Sequence, residues 1–327
     1  MAIAVTGGCG FLGLNCAELL LERGAEVLLF DRRPDLPADA RQTFDALPGN
    51  YTYVSGDIND ADALRQLCQD FSISSMLHAA VITPGAQREH DDALHIVNVN
   101  LMGTLQVLQI ARDYNIRLLY PSSASVYGDN AYDDPLLEEA STIPIPNTMY
   151  AIAKYAAERS CLRAAQLWDM DVRVARVGAA FGAWEHASGV RDTLSAPMLT
   201  TALALRGEEV RLPRPGPRDW VYSRDVATAL IALLEAPQPR YALYNISAGV
   251  RWNVADWCEK LRMHFPDFRY RVVDDPAEAN VHTGARDRSP LATERLQEDI
   301  YKPVFDLEAA FTDYMQWVEQ HSDFWLP

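Results

Sequence analysis

Ile3-Ala4-Val5-Thr6-Gly7-Gly8-Cys9-Gly10-Phe11-Leu12-Gly13 decides the fold. Ile3–Thr6 reads as a short buried strand, and Phe11–Arg23 reads as the helix that follows it. Glycines 7, 10 and 13 stand three apart between the two. One lets the chain turn sharply, another lets the backbone approach a pyrophosphate, and the third lets helix pack on strand. At the helix start, unpaired N–H groups and the helix dipole favour an anion. Turns use glycine freely, so the triplet acquires meaning only from the strand before it and the helix after it.

Working outward, Gly24 sits where a helix C-terminal glycine belongs. Glu26–Phe30 is a second strand ending at Asp31, which lies 18 residues beyond Gly13. A carboxylate there accepts the adenosine ribose hydroxyls and repels a 2′-phosphate, which selects NAD over NADP. The opposing feature is Arg32-Arg33, either of which suits a 2′-phosphate if it is not simply a solvated loop residue. Further strands are expected at Tyr51–Val54, Ser75–His78, Arg117–Tyr120, Val172–Val177 and Tyr244–Ser247. Helices are expected at Ala61–Gln69, Ile96–Asp113, Tyr150–Leu167, Met198–Arg206, Asp225–Leu234, Val254–Phe265 and Leu307–Val318. This alternation predicts an α/β fold, a Rossmann-type doubly wound parallel sheet with a smaller, partly interleaved C-terminal substrate domain. Residues 1–180, with 218–248 returning to them, form the NAD-binding part; residues 181–217 and 249–327 form the cap.

Composition excludes several classes. At 327 residues with 49% hydrophobic and 23% charged, the chain is an ordinary globular mixture rather than a disordered or disulfide-stapled one. A net charge of −16 argues against nucleic acid and against an anionic membrane surface. An anionic ligand must therefore be held by local arginines or backbone amides. The five cysteines (Cys9, Cys16, Cys68, Cys161, Cys258) show neither a C-x-x-C pair nor a metal-ligand pattern. No metal is expected. With no cationic leader and no 18-residue apolar run, the expectation is a cytoplasmic protein without a membrane span.

Tyr150 and Lys154 stand four apart on a helix, one above the other, in a chain whose only other lysines are Lys260 and Lys302. An ammonium and an oxidised nicotinamide beside a phenol favour the phenolate, which can take the proton of an alcohol as hydride leaves its carbon. Pro121–Gly128 follows the fifth strand, at the carboxyl edge where open α/β sheets bind ligands. Its hydroxyls, Ser123 and Ser125 among them, can hold the reacting oxygen. His78 reads as a packed strand-end residue, since Tyr150 already fills the role of base.

Together with Asp31, Gly56-Asp57-Ile58, His78-Ala79-Ala80, Asn100–Thr104, Arg218–Val221 and Asp225–Ala227, these motifs give the chain a resemblance across nearly its whole length. It resembles the extended short-chain dehydrogenase/reductases, in the NAD-dependent epimerase/dehydratase family. The resemblance implies that Gly7, Gly10, Phe11, Leu12, Gly13, Asp31, Arg32, Asp57, Ile58, Ala79, Ala80 and Asn100 hold NAD. Ser123, Tyr150 and Lys154 would be the catalytic set, the last two also contacting the coenzyme. It further implies a homodimer through helices 96–113 and 150–167.

Two departures bear on substrate. Where sugar-nucleotide dehydratases carry Asp and Glu for water loss, this chain has Ala124 and Ser125. The Asn that nucleotide-sugar epimerases carry three positions after the Arg176 equivalent is Ala179 here. Arg191, Arg218 and Arg286, with Arg288, are candidates for an anionic sugar-like small molecule, because a guanidinium fork suits phosphate or carboxylate. His78–Thr83 and Arg176–Ala179 resemble uronate dehydrogenases, which implies that Thr83 meets a substrate hydroxyl. Ser122–Gly128 resembles four-epimerases and inclines the reading to a nucleotide-sugar epimerase. The alternatives are an NAD-dependent dehydrogenase of a free sugar acid and a non-catalytic NAD-binding sensor. Trp184, Glu185 and His186 are candidate pocket residues, and Asp133, Asp134, Glu138 and Glu139 read as a solvated acidic loop.

Overall fold

A computed structural model describes residues 2–281, 283–284, 286–321 and 324. Six strands, β1 (Ala2–Thr6), β2 (Glu26–Asp31), β3 (Asn50–Ser55), β4 (Ile73–His78), β5 (Arg117–Ser123) and β6 (Val172–Val177), join the strand Leu243–Ile246 in one sheet. Its order is Leu243–Ile246, β6, β5, β4, β1, β2, β3, and all neighbours run parallel. Both faces of the inner strands are covered, which is why they read as apolar runs; every residue of β6 is buried, whereas the edge strand β3 alternates exposed and half-buried residues. Successive residues serve opposite faces: Val5, Leu29 and Leu77 join one core, and Ala4, Leu28 and Met76 join the other.

Helix α1 (Phe11–Glu22) packs with Ser223–Glu235 on the first face. The second face is covered by α3 (Ala61–Asp70), α5 (Thr104–Asp113) and α6 (Met149–Trp168). Three described α-helices lie outside the sequence expectation, one of them the six-residue Glu294–Asp299. The eight residues of α2 (Ala38–Asp45) bury only Ala40 and Phe44, too few to mark a stripe. The helix expected from Ile96 begins ten residues earlier. It runs as α4 (Ala86–Val97), a π-helical segment over Asn98–Gly103, and then α5. Ile96 is the only buried residue of α4, so no apolar period announces it. By length and composition Ala86–Asp113 can span a bilayer, yet Val107, Leu108, Ile110 and Ala111 are packed on the sheet.

Chain reversal brings β1 beside both β2 and β4, and the carboxyl ends of β1 and β4 flank the crevice where such sheets bind ligands. Beyond β6, short ribbons pair Ala179–Phe181 with Trp220–Tyr222 and Val210–Leu212 with Tyr270–Val272. Phe181, Trp252 and Trp257 pack edge to face around them, with ring centroids 5.3–5.4 Å from Phe181. Glu139 departs from the solvated loop expected of it. Its side chain is buried, and its Oε1 accepts from Asn245 N at 2.8 Å.

Candidate active site

A cleft of about 570 Å³ lies over the carboxyl ends of β1, β2, β4, β5 and β6. Gly7, Gly10, Phe11 and Leu12 form its first wall. Gly7 has φ +69°, and a Cβ there would lie 2.6 Å from Ala80 N. At Gly13 a Cβ would lie 2.1 Å from Gly7 O, so this glycine backs the turn without lining the cleft. Gly10 caps α1 and supplies no side-chain acceptor, which leaves the first-turn N–H groups for a ligand.

Asp31, Arg32, Asp57, Ile58, Ala79 and Ala80 continue the wall. Asp31 Oδ2 accepts from Cys9 N and Oδ1 from Arg33 N, each at 3.0 Å, which fixes the carboxylate at the end of β2. Asn100, expected to hold coenzyme, stands behind the cleft. Its amide donates to Ile82 O at 2.9 Å and accepts from Ile82 N at 2.8 Å, clipping the exit of β4 to the π-helical segment. His78 is buried as a packing residue. Thr6 Oγ1 lies 2.7 Å from its Nδ1 and Thr104 Oγ1 3.1 Å from its Nε2, and burial drives its pKa down to about 3.

Ser123, Ser125, Tyr150 and Lys154 meet on the cleft floor. Thr148 caps α6, its hydroxyl accepting from Ala151 N at 3.1 Å, and so starts the helix just before the tyrosine. Ser125 Oγ donates to Ser123 Oγ at 2.9 Å, and Ser123 bears on the Tyr150 phenol in favour of its ionised form. Lys154, 4% exposed, donates from Nζ to Pro121 O at 2.5 Å and lies 4.3 Å from the centre of the Tyr120 ring.

The electrostatics differ from the sequence expectation. Burial raises the Tyr150 pKa, while Ser123 and the Arg191 charge oppose that rise. Burial lowers Lys154 to about 7. Without ligand, then, the phenol is held protonated and Arg191 is the cation that bears on it. Sequence spacing reports which residues share a helix face, but not how deeply that face is buried.

The cap side supplies Arg191, Arg218 and Arg288. Glu185, fully buried, accepts from Arg191 at 2.6 Å and from Ser195 Oγ at 2.6 Å, and so orients that guanidinium toward the cleft. Trp184, Glu185 and His186 themselves lie behind the wall rather than on it. Arg218 lies 5.5 Å from the Trp220 ring centre; burial first and Arg288 second lower its pKa to about 10. Arg286 is corrected as a wall residue. It pairs with Asp133 at 3.2 Å, sits over the Tyr132 ring, and keeps 62% of its side chain exposed. Arg288, two positions on, takes that place and donates to Ala124 O at 3.0 Å.

Thr83 lines the cleft, and its backbone pairs with the cap loop: Thr83 N donates to Val190 O at 2.8 Å and Asp192 N to Thr83 O at 2.9 Å. Ser188, Val190 and Thr193–Ala196 thus line the cleft around Arg191, the one residue of this loop that the sequence singled out.

A glycine turn opening a helix, a carboxylate ending the second strand and a Ser–Tyr–Lys floor together define a dinucleotide-dependent enzyme. Gly7, Gly10 and Gly13 fit a pyrophosphate because side chains there would fill or break the cradle. The chain belongs to the NAD-dependent epimerase/dehydratase family, whose model matches residues 3–247. It is 26% identical to a dTDP-L-rhamnose 4-epimerase of Burkholderia thailandensis, covering 98% of this chain and 96% of the relative. It is 23% identical to a dTDP-glucose 4,6-dehydratase of Mycolicibacterium smegmatis, covering 100% and 96% respectively. Among solved structures, a UDP-glucose 4-epimerase of Thermotoga maritima superposes with TM-score 0.82 at 23% identity, covering 99% of this chain and 100% of that one. At that identity the likeness speaks for the fold.

Proposed function

We propose that the protein is a sugar epimerase acting on an anionic, nucleotide-linked substrate. The carrying observation is that Ser123, Ser125, Tyr150 and Lys154 line one cleft together with the guanidiniums of Arg191, Arg218 and Arg288. Gly7, Gly10, Phe11 and Leu12 would hold the NAD pyrophosphate, with Asp31 and Arg32 at the adenosine ribose, Asp57 and Ile58 at the adenine, and Ala79 and Ala80 along the middle. Asn100 acts through Ile82. When bound, the nicotinamide supplies the hydride acceptor. Ser123 holds the reacting hydroxyl, Tyr150 takes its proton, and Tyr150 returns a proton once the oxidised sugar has turned in the cleft. Lys154 places positive charge behind the phenol and reaches the nicotinamide ribose.

Arg218 and Arg288 take the substrate anion, and Thr83 and Ser125 take sugar hydroxyls. Asp31 and Asp57 are the only carboxylates among the described lining residues, and both sit at the adenosine end. Ala124 and Ser125 provide no acid at the sugar, so the floor lacks the group that water loss requires.

A dehydrogenase of a free sugar acid is the second reading, favoured by Arg191, whose charge reaches Tyr150 and so suits a carboxylate near the reacting carbon. The two separate by coenzyme traffic. Protein purified without added coenzyme should carry NAD and interconvert two nucleotide sugars with no accumulation of NADH. Stoichiometric NADH release with a sugar acid, and no such interconversion, would instead establish the dehydrogenase.

The free state of all five cysteines accords with a cytoplasmic setting. Met102, Ile152 and Leu167 stand exposed on helices 96–113 and 150–167, which supports a homodimer through them.

Coenzyme choice gives a further prediction. Asp31→Asn keeps an acceptor for Cys9 N or Arg33 N and removes the charge. NAD affinity should fall about tenfold while NADP affinity holds or rises, read by calorimetry with each coenzyme. Equal losses would contradict the assignment.

A further inference from the structure

The catalytic helix carries a second buried ionisable group that the proposed chemistry does not use. Glu158 lies four residues beyond Lys154 on α6 and is fully buried. Ser122 Oγ donates to its Oε2 at 2.8 Å, Arg176 Nε donates to the same oxygen at 3.0 Å, and Arg176 Nη2 donates to Oε1 at 2.6 Å. A carboxylate taken this far from water is retained only where donors saturate it.

The donors come from two strands, Ser122 from the end of β5 and Arg176 from the end of β6. Ser122 directly precedes Ser123 and follows Pro121, whose carbonyl accepts from Lys154. The carboxylate therefore ties the Lys154 turn of α6 to the peptide that carries both the lysine's acceptor and the serine of the floor. Arg176 is itself braced, its guanidinium 4.6 Å from the centre of the Tyr127 ring, whose hydroxyl donates to Asn245 Oδ1 at 2.9 Å.

We propose that Glu158 is a positioning residue that holds Lys154 charged and in register with Ser123, through its clamp to Ser122 and Arg176. This rests on the reading of Ser123, Tyr150 and Lys154 as the catalytic set. Lys154 is faced by Tyr150, Glu158 and Cys161 from its own helix, by Tyr120 from β5 and by His78 from β4. Burial lowers the ammonium pKa, while Glu158 opposes that fall. Burial raises the Cys161 and Tyr120 pKa values and lowers that of His78 to about 3, so all three are neutral where Lys154 titrates. Burial likewise holds the Tyr150 phenol protonated there. Glu158 remains as the neighbour that opposes the fall, held in place by Ser122 and Arg176.

With only Lys154, Lys260 and Lys302 in the chain, NMR of isotope-labelled lysine ε-carbons follows the group directly, without substrate or turnover. The full-length protein gives three signals, and Lys154→Met assigns the one titrating near 7. Glu158→Gln should move that midpoint down by about one pH unit, with the Lys260 and Lys302 signals unchanged. Arg176→Met, which strips the counter-ion from Glu158, should move it up, so either variant alone tests the proposal should the other not fold. A folded variant whose Lys154 midpoint stays at the wild-type value overturns it. Because the readout needs no reaction, it is separate from the outcome for Tyr150→Phe, which tests the catalytic reading itself.

Discussion

Tyr150→Phe is expected to lower kcat/KM by about 10³-fold, within the 10²–10⁴ range that a positioned proton donor or acceptor contributes. The ring stays in place and only the oxygen is lost. NAD affinity should therefore remain within about threefold of wild type, because the pyrophosphate cradle and Asp31 are untouched. Calorimetry with NAD, alongside turnover of the sugar identified by substrate screening, separates the two effects. Turnover within tenfold of wild type would remove the tyrosine from the mechanism. Burial holds the free phenol protonated. Much of the driving force for its ionisation must then arrive with the ligands, and kcat should rise with pH until the phenol in the complex is deprotonated.

Gly13→Ala is expected to weaken NAD binding by at least about 100-fold, equivalent to about 2.7 kcal/mol. The added carbon would stand 2.1 Å from Gly7 O and 3.0 Å from Gly8 Cα, and both contacts are backbone. Helix α1 must then move off β1, carrying the N–H groups of Phe11 and Leu12 away from the phosphate position. Gly24→Ala is the matched control. Gly24 has φ +76° with open space around it, so its substitution should cost only about 1 kcal/mol of stability and leave NAD affinity unchanged. Thermal unfolding with and without NAD reads both variants. A Gly13→Ala protein that binds NAD within threefold of wild type would show that the turn does not hold the coenzyme.

Legibility in the sequence followed physical locality. Strands buried on both faces, and a glycine turn fixed by contacts within a few residues, could be read directly. So could Tyr150 and Lys154, which share a helix face by spacing alone. Helices α2 and α4 could not, because each buries too few apolar residues to leave a period. The choice between Arg286 and Arg288 was equally hidden. Two positions apart in one loop, they differ only in that Asp133 and Tyr132, from a distant segment, draw the first outward. Lys154 reads in sequence as a ready ammonium. Its depression to about 7 is a property of depth, and the buried carboxylate that opposes it becomes visible only once β5 and β6 are folded against α6.

In the proposed reaction the reacting carbon loses and regains its hydrogen as hydride, with Tyr150 moving only the hydroxyl proton. Turnover in heavy water followed by mass analysis of the product tests it most directly. No deuterium is expected on carbon, since hydride does not exchange with solvent. One solvent deuterium fixed on the inverted carbon per turnover would mean that the C–H bond is broken as a proton, and would contradict it.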